Sequence, residues 1–229
     1  MAKKNKQEDE VIVDVGQSLT RIEKYFEENR KSITFIVAGL FIIVGGYFAY
    51  LKLYQEPREN EAQEEIYQAQ SYFEQDSLRL ALNGDGQSLG FIDIAAEYSG
   101  TKAGNMANYY AGISYLNQGN FEDAIAYLDE FESDDPVFSV VATGAIGDAF
   151  WELGQAEEAL DYYHQAVSGE SNALVVPFYL KKAGILAEEQ GELKKAREYF
   201  VRLRDEFEDS QQAVDIEKFI ARIDAKMNA

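Results

Sequence analysis

Hydrophobic positions recur at helical spacing, i, i+3, i+4 and i+7, through most of the chain beyond Glu59, and no convincing run alternates apolar and polar residues with period two. This pattern predicts an all-α fold. One stretch has no polar face. From Ser32 to Leu51, 20 residues pass without a charge, and Ile33, Phe35, Ile36, Val37, Leu40, Phe41, Ile42, Ile43 and Val44 surround the helix on every side. At about 1.5 Å per residue such a helix is about 30 Å long, the thickness of a bilayer's hydrocarbon core. Tyr47, Tyr50 and Tyr54 gather at its far end, where amphipathic rings favour a membrane interface.

A cleavable signal has a short basic start, an apolar core of about 7 to 15 residues and a small-x-small cleavage site. Here 31 residues precede a longer run, and no such site directly follows it. The segment 32–53 therefore reads as a retained transmembrane anchor rather than a signal or a core helix. Arg21, Lys24, Arg30 and Lys31 precede it, against Lys52 and Arg58 beyond, so the positive-inside rule places 1–31 in the cytoplasm and 54–229 outside. In a Gram-negative cell that means a single pass through the inner membrane and a periplasmic C-terminal domain. Gly45 and Ala49 form a small-xxx-small pair, a candidate packing face for another span.

Charge separates the parts further. Residues 1–31 carry seven basic and seven acidic side chains, whereas 54–229 carry 13 basic and 34 acidic. The imbalance, −20 over the whole chain, disfavours nucleic acid and anionic lipid surfaces as ligands of the C-terminal domain. The chain has no cysteine, which excludes disulfides and thiolate catalysis. A stretch of about 175 residues can bury a core of its own.

Within 54–229 three segments superimpose: "NYYAGISYLNQGNFEDAIAYLDEF" from Asn108, "GAIGDAFWELGQAEEALDYYHQA" from Gly144 and "KKAGILAEEQGELKKAREYFVRL" from Lys181. Their first aligned glycines, Gly112, Gly147 and Gly184, stand 35 and 37 residues apart, the period of a helix-turn-helix repeat. A mid-helix glycine costs about 1 kcal/mol, so close approach of a partner helix is the expected compensation. Gly119, Gly154 and Gly191 follow seven residues later, where a helix ending needs a left-handed residue. Ala124, Ala159 and Ala196 then give the second helices a small residue at the crossing. Leu128, Tyr163 and Phe200, four residues on, fill the space beside them. Pro136 is expected to stop the first unit's second helix and open the next.

These residues resemble the tetratricopeptide repeat over about 107–205. The third unit departs from the pattern, with Ala187 where the others have Tyr115 and Phe150. The expected architecture is a tetratricopeptide-like α-solenoid. A degenerate first unit occupies about 59–105, opened by one long helix from Glu59 to Leu82 and completed by residues 90–98. A polar-faced capping helix occupies about 211–226.

Catalytic chemistry finds little support. His164 has no cysteine or second histidine with which to build a zinc site or a triad. "NGDGQS", 83–88, has the oxygen-rich look of a calcium loop without its sixth-place glycine or closing Glu, and reads as an inter-helix turn. No P-loop or dinucleotide fingerprint occurs. The expectation is a non-enzymatic protein without metal or cofactor, whose stacked helix pairs present a concave surface to a protein partner. Tyr109, Ile113, Leu116, Asp148, Trp151, Phe178 and Ile185 are the candidate contacts on it, with packing between repeats as the competing reading for Trp151 and Phe178. A carboxylate clamp is not expected, because its basic and Asn places hold Tyr109, Gly144 and Lys181, then Ile113, Asp148 and Ile185.

The combination of cytoplasmic tail, single span and repeat domain, with "YFEENRKSITFIVAGLFIIVGGYFAY" at its start, resembles the YfgM-like ancillary subunits of the bacterial Sec translocon. That resemblance implies two partners, the SecYEG complex and a PpiD-like membrane-anchored chaperone. It also implies a role in passing emerging polypeptides to periplasmic chaperones. A scaffold of another envelope complex, in secretion, gliding or division machinery, stays open as the alternative.

Overall fold

The computed structural model describes residues 23–25, 27–169 and 172–228. Most of the expected cytoplasmic tail, including Arg21, lies outside the described residues. The chain divides into two compact units, Met1–Pro57 and Arg58–Ala229.

In the first unit the uncharged run forms α1 (Arg30–Tyr50), none of whose residues is buried. Phe35, Phe41 and Ile42 are each more than 70% exposed. Gly45 has nothing within 4 Å of where a Cβ would stand, so its small-residue face meets no protein among the described residues. The helix widens into a π turn over Leu51–Gln55, where Glu56 N–H donates to the Leu51 carbonyl. Pro57 follows directly. Proline has no N–H, and its ring crowds the carbonyl four residues back; a widened turn relieves that crowding.

The second unit is helical throughout its regular structure. It runs α2 (Glu56–Glu74, whose first two residues belong to the first unit), α3 (Leu78–Asn83), α4 (Phe91–Glu97), α5 (Lys102–Gln118), α6 (Phe121–Asp129), α7 (Pro136–Glu152), α8 (Ala156–Ser168), α9 (Val176–Glu189), α10 (Leu193–Glu206), a 3-10 turn Gln211–Ala213 and α11 (Ile216–Met227). The expected helix from Glu59 to Leu82 is broken in two. Asp76, at φ 57°, ends α2 in a left-handed C-terminal motif: Ser77 N–H reaches Tyr72 O at 2.9 Å and Asp76 N–H reaches Phe73 O at 3.0 Å. Glycine usually holds this place, so an aspartate there left no break to read. The segment 211–226 divides likewise at Asp215, φ 65°, into the 3-10 turn and α11.

Ala62, Ile66 and Ala69 form the buried stripe of α2 and share a core with Leu82, Phe91, Ile94, Tyr98, Ala107 and Ala111. Two contacts fasten its start. Glu59 accepts the first N–H of α5, Lys102, at 2.6 Å, where a carboxylate complements the helix dipole. The Arg58 guanidinium bonds the Glu97 carbonyl. The loop "NGDGQS" folds around Asp85, whose carboxylate accepts from Gln87 N–H, Ser88 N–H and the Tyr72 hydroxyl at 2.8 Å each. Those bonds, the backbone ones foremost, hold its pKa at about 2. Its acceptor capacity goes into closing a turn.

The pairs α5–α6, α7–α8 and α9–α10 repeat one construction. Gly119, Gly154 and Gly191 stand at φ 79°, 76° and 77°. Each donates to the carbonyl three residues back, and the next residue donates five back. Mid-helix, a Cβ on Gly112 would stand 2.5 Å from Leu128 Cγ and one on Gly147 2.8 Å from the Tyr163 ring, while one on Gly184 would strike the Phe200 ring. Ala124, Ala159 and Ala196 are fully buried. Glycine in the first helix thus makes a notch for the large side chain of the second. Gly184→Ala is expected to lower unfolding free energy by about 1–3 kcal/mol, the cost of overpacking, despite alanine's better helix propensity; chemical denaturation would measure it.

Pro136 opens α7, with Asp135 as N-cap accepting from Val137 and Phe138 N–H. It does not stop α6, which ends at Asp129. That ending is fixed instead by Asn105, whose amide donates to Glu132 O at 2.7 Å and accepts Glu132 N–H at 3.0 Å. In the third repeat Ala187 alters the packing. Tyr115 stacks on Tyr127 at 5.5 Å and Phe150 on Tyr162 at 5.2 Å, but the corresponding Tyr199, with no ring opposite, meets His164 of the preceding repeat at 3.0 Å.

Candidate protein-binding surface

The first helices of the repeats, α5, α7 and α9, carry the seven candidate contacts, and the structure sorts them into two groups. Tyr109, Ile113 and Leu116 pack against the core between the first and second repeats. The Tyr109 ring lies 5.1 Å from Phe131 and 5.2 Å from Phe138, and burial raises its hydroxyl pKa. Ile185 packs against the core of the second and third repeats. Asp148, Trp151 and Phe178 belong to one connected cluster where α7 meets α9.

That cluster is built around the Asp148 carboxylate. One of its oxygens, Oδ1, accepts from the Tyr163 hydroxyl at 2.6 Å and from Lys182 Nζ at 2.6 Å. Tyr163 is fully buried. Burial first, then the neighbouring Asp148 charge, pushes its hydroxyl far above the ordinary tyrosine range. Trp151 sits edge-on to Tyr163 at 6.1 Å. Lys182 Nζ lies 4.6 Å from the Phe178 ring centroid, within cation–π range. Phe178 itself stays 44% exposed. Tyr179 completes the seam. Its ring covers Gly144, where any Cβ would strike it, its hydroxyl donates to Val141 O at 3.3 Å, and burial again raises its pKa. Gly144 occupies a place where a carboxylate clamp has a basic residue, and here it serves the neighbouring repeat instead.

The cluster offers an aromatic edge, a partly buried ion pair and a further carboxylate, Glu152, one turn beyond Asp148 on α7. These groups suit the docking of another chain, since exposed aromatics supply contact area and paired charges supply register. His164 is taken up by Tyr199. Among the described residues no group of three or more His, Cys, Asp or Glu is arranged to hold a metal.

Sequence reasoning missed Lys182, Tyr179 and the Tyr163 hydroxyl. One signal could have found Lys182. Between Ala103 and Leu180 the chain has 13 Asp or Glu and no Lys or Arg, so Lys181 and Lys182 are the first cations after a long anionic stretch.

The tetratricopeptide repeat family model matches residues 92–137, 109–173 and 145–211, together just over half of the chain. The chain belongs to the tetratricopeptide repeat family. Such repeats make protein–protein interaction scaffolds, typically without catalysis of their own. Among solved structures, the Q17M form of nearly identical TPR-like repeats from a Podosopora anserina putative kinesin light chain is similar at a TM-score of 0.53 and 13% identity. The match covers 72% of this chain and 85% of that one. A second structure of those repeats has a TM-score of 0.49, also at 13% identity, covering 74% and 97%. At this identity the likeness is one of fold alone. No curated protein matches this chain. This tetratricopeptide repeat protein has the family's paired helices, with Asp148, Lys182 and Phe178 meeting where α7 faces α9.

Proposed function

We propose that this protein is a membrane-anchored, non-enzymatic scaffold at the Sec translocon, similar to the YfgM-like ancillary subunits. Residues 1–31 lie in the cytoplasm, 32–53 span the inner membrane once, and 54–229 form a periplasmic interaction domain. SecYEG and a PpiD-like anchored chaperone are its partners, and emerging polypeptides pass from one to the other beside it. The observation that carries this reading is the coexistence in one chain of an interaction repeat domain and an apolar helix with no buried residue. Among the described residues that helix alone is long and apolar enough to cross a membrane. The excess of basic residues on its N-terminal side supports the orientation.

Affinity purification of the intact chain from gently solubilised membranes tests the assignment. SecY and a PpiD-like chaperone are expected to co-purify with it. Recovery of a different stable envelope complex without SecY would replace the translocon with secretion, gliding or division machinery. Recovery of the chain in the soluble fraction after cell breakage would remove the anchor.

A further inference from the structure

We propose that the seam between the second and third repeats binds an extended polypeptide segment in which basic residues flank an apolar or aromatic anchor. The inference rests on the scaffold reading and names the chemistry of what the scaffold holds. Two independent observations lead to it. The first is the exposed side of Phe178, 44% exposed and edge-on to Tyr179 at 5.3 Å, the kind of aromatic site on which a partner's apolar side chain gains most by leaving water. Most other aromatic rings of the repeats are turned into the seams.

The second is charge. Both first-helix carboxylates at this seam, Asp148 and Glu152, stand four residues apart on α7 and so share one face of it. They belong to the stretch from Ala103 to Leu180 that holds 13 acidic and no Lys or Arg residues, whereas 181–229 is nearly balanced, with 11 acidic and 10 basic. A field of one sign over two successive repeats draws cations and repels acidic chains. Lys182 shows how a cation is held here. Its ammonium rests at once on the Asp148 carboxylate, at 2.6 Å, and over the Phe178 ring. A partner lysine or arginine entering beside Phe178 meets the same two acceptors and competes with Lys182 for them.

The test uses the full chain in nanodiscs of zwitterionic phosphatidylcholine, with empty nanodiscs as the control. The probe is a fluorescein-labelled 14-residue peptide of alternating Lys and Leu/Phe pairs, read by fluorescence anisotropy. Two companion peptides replace every Lys by Glu, or every Leu and Phe by Ser. The Lys-Leu/Phe peptide is expected to bind above the empty control, to weaken by about tenfold in Phe178→Ser, and to weaken between low and physiological salt. Both companions are expected to bind far less. Lys182→Gln is expected to tighten binding by a few fold, because it removes a competing cation; a residue needed only for folding would weaken it. Far-UV circular dichroism of each variant checks that the repeats remain folded.

Equal binding of the Glu peptide, an unchanged affinity in Phe178→Ser, or binding no greater than to empty nanodiscs would each overturn the proposal. The partner purification separates this from the scaffold reading. If Phe178→Ser still recovers the membrane partners while no peptide binds, the scaffold stands and the peptide seam falls. If the wild-type chain binds peptide as expected but recovers no partner, the reverse holds.

Discussion

Tyr163→Ala is expected to destabilise the repeat domain by about 3–5 kcal/mol, the range for removing a large buried aromatic. Tyr163 lies fully buried in the notch left by Gly147, between the rings of Trp151 and Tyr179 at 6.1 Å each. Its hydroxyl also holds Asp148. Alanine removes all of this at once, and the surrounding helices cannot close the gap without losing Tyr179's seat over Gly144. Tyr163→Phe separates the contributions. It keeps the ring and removes one hydrogen bond to a charged acceptor, for an expected loss of about 1.5 kcal/mol, since Lys182 still pairs Asp148. Urea denaturation of both variants, followed by far-UV circular dichroism, measures the two values. A loss under about 1 kcal/mol for the alanine variant would mean that the seam does not depend on this ring.

The second large effect concerns the C-terminal cap. Glu188 of α9, its side chain only 9% exposed, receives Arg222 Nε at 2.8 Å, Arg222 Nη2 at 2.5 Å and Lys226 Nζ at 2.7 Å from α11. Ile216, Ile220 and Ile223 supply the buried face of the same helix. Burial by itself would raise the Glu188 pKa, but the hydrogen bonds from Arg222 and Lys226 outweigh it and hold the carboxyl below its ordinary value of 4.5. A depressed folded-state pKa means that the carboxyl's contribution is fully present above the ordinary value and is lost as pH falls through the folded-state one. Glu188→Gln is expected to cost about 2 kcal/mol at neutral pH, tempered because both cations are half exposed and regain water. Amide exchange in 216–227 should then quicken by roughly thirtyfold. The difference from wild type should shrink as the solution is acidified through the lowered folded-state pKa of Glu188. Unchanged exchange would show that the isoleucine face alone retains α11.

Much of the helical plan was readable because its signals are local. Gly119, Gly154 and Gly191 sit in left-handed geometry that few other residues adopt readily, and Gly112, Gly147 and Gly184 mark notches whose partners lie 16 residues on in each repeat. The breaks at Asp76 and Asp215 were hidden, since aspartate enters the left-handed region without advertising it. Contacts that depend on neighbours far along the chain were equally hidden. Nothing in "LKKAG" says that Lys182 reaches back to Asp148, 34 residues earlier, or that Tyr179 needs Gly144 bare. Of the candidate surface, periodicity found the first helices but could not separate Tyr109, which fills a seam, from Phe178, which remains open. That distinction is set by the packing of the adjacent repeat.

The Glu188 cluster also bears on how this scaffold can change in length. Its acceptors are met by α11 and by no repeat-type helix, and Ala187 beside it has already ended the series of paired rings. A unit appended after the third repeat would inherit an anionic socket and no ring to stack on. One inserted upstream, between units that still share notch, ring pair and left-handed glycine, would meet no such socket. Duplication and engineering alike therefore meet a closed site where α11 covers the third repeat.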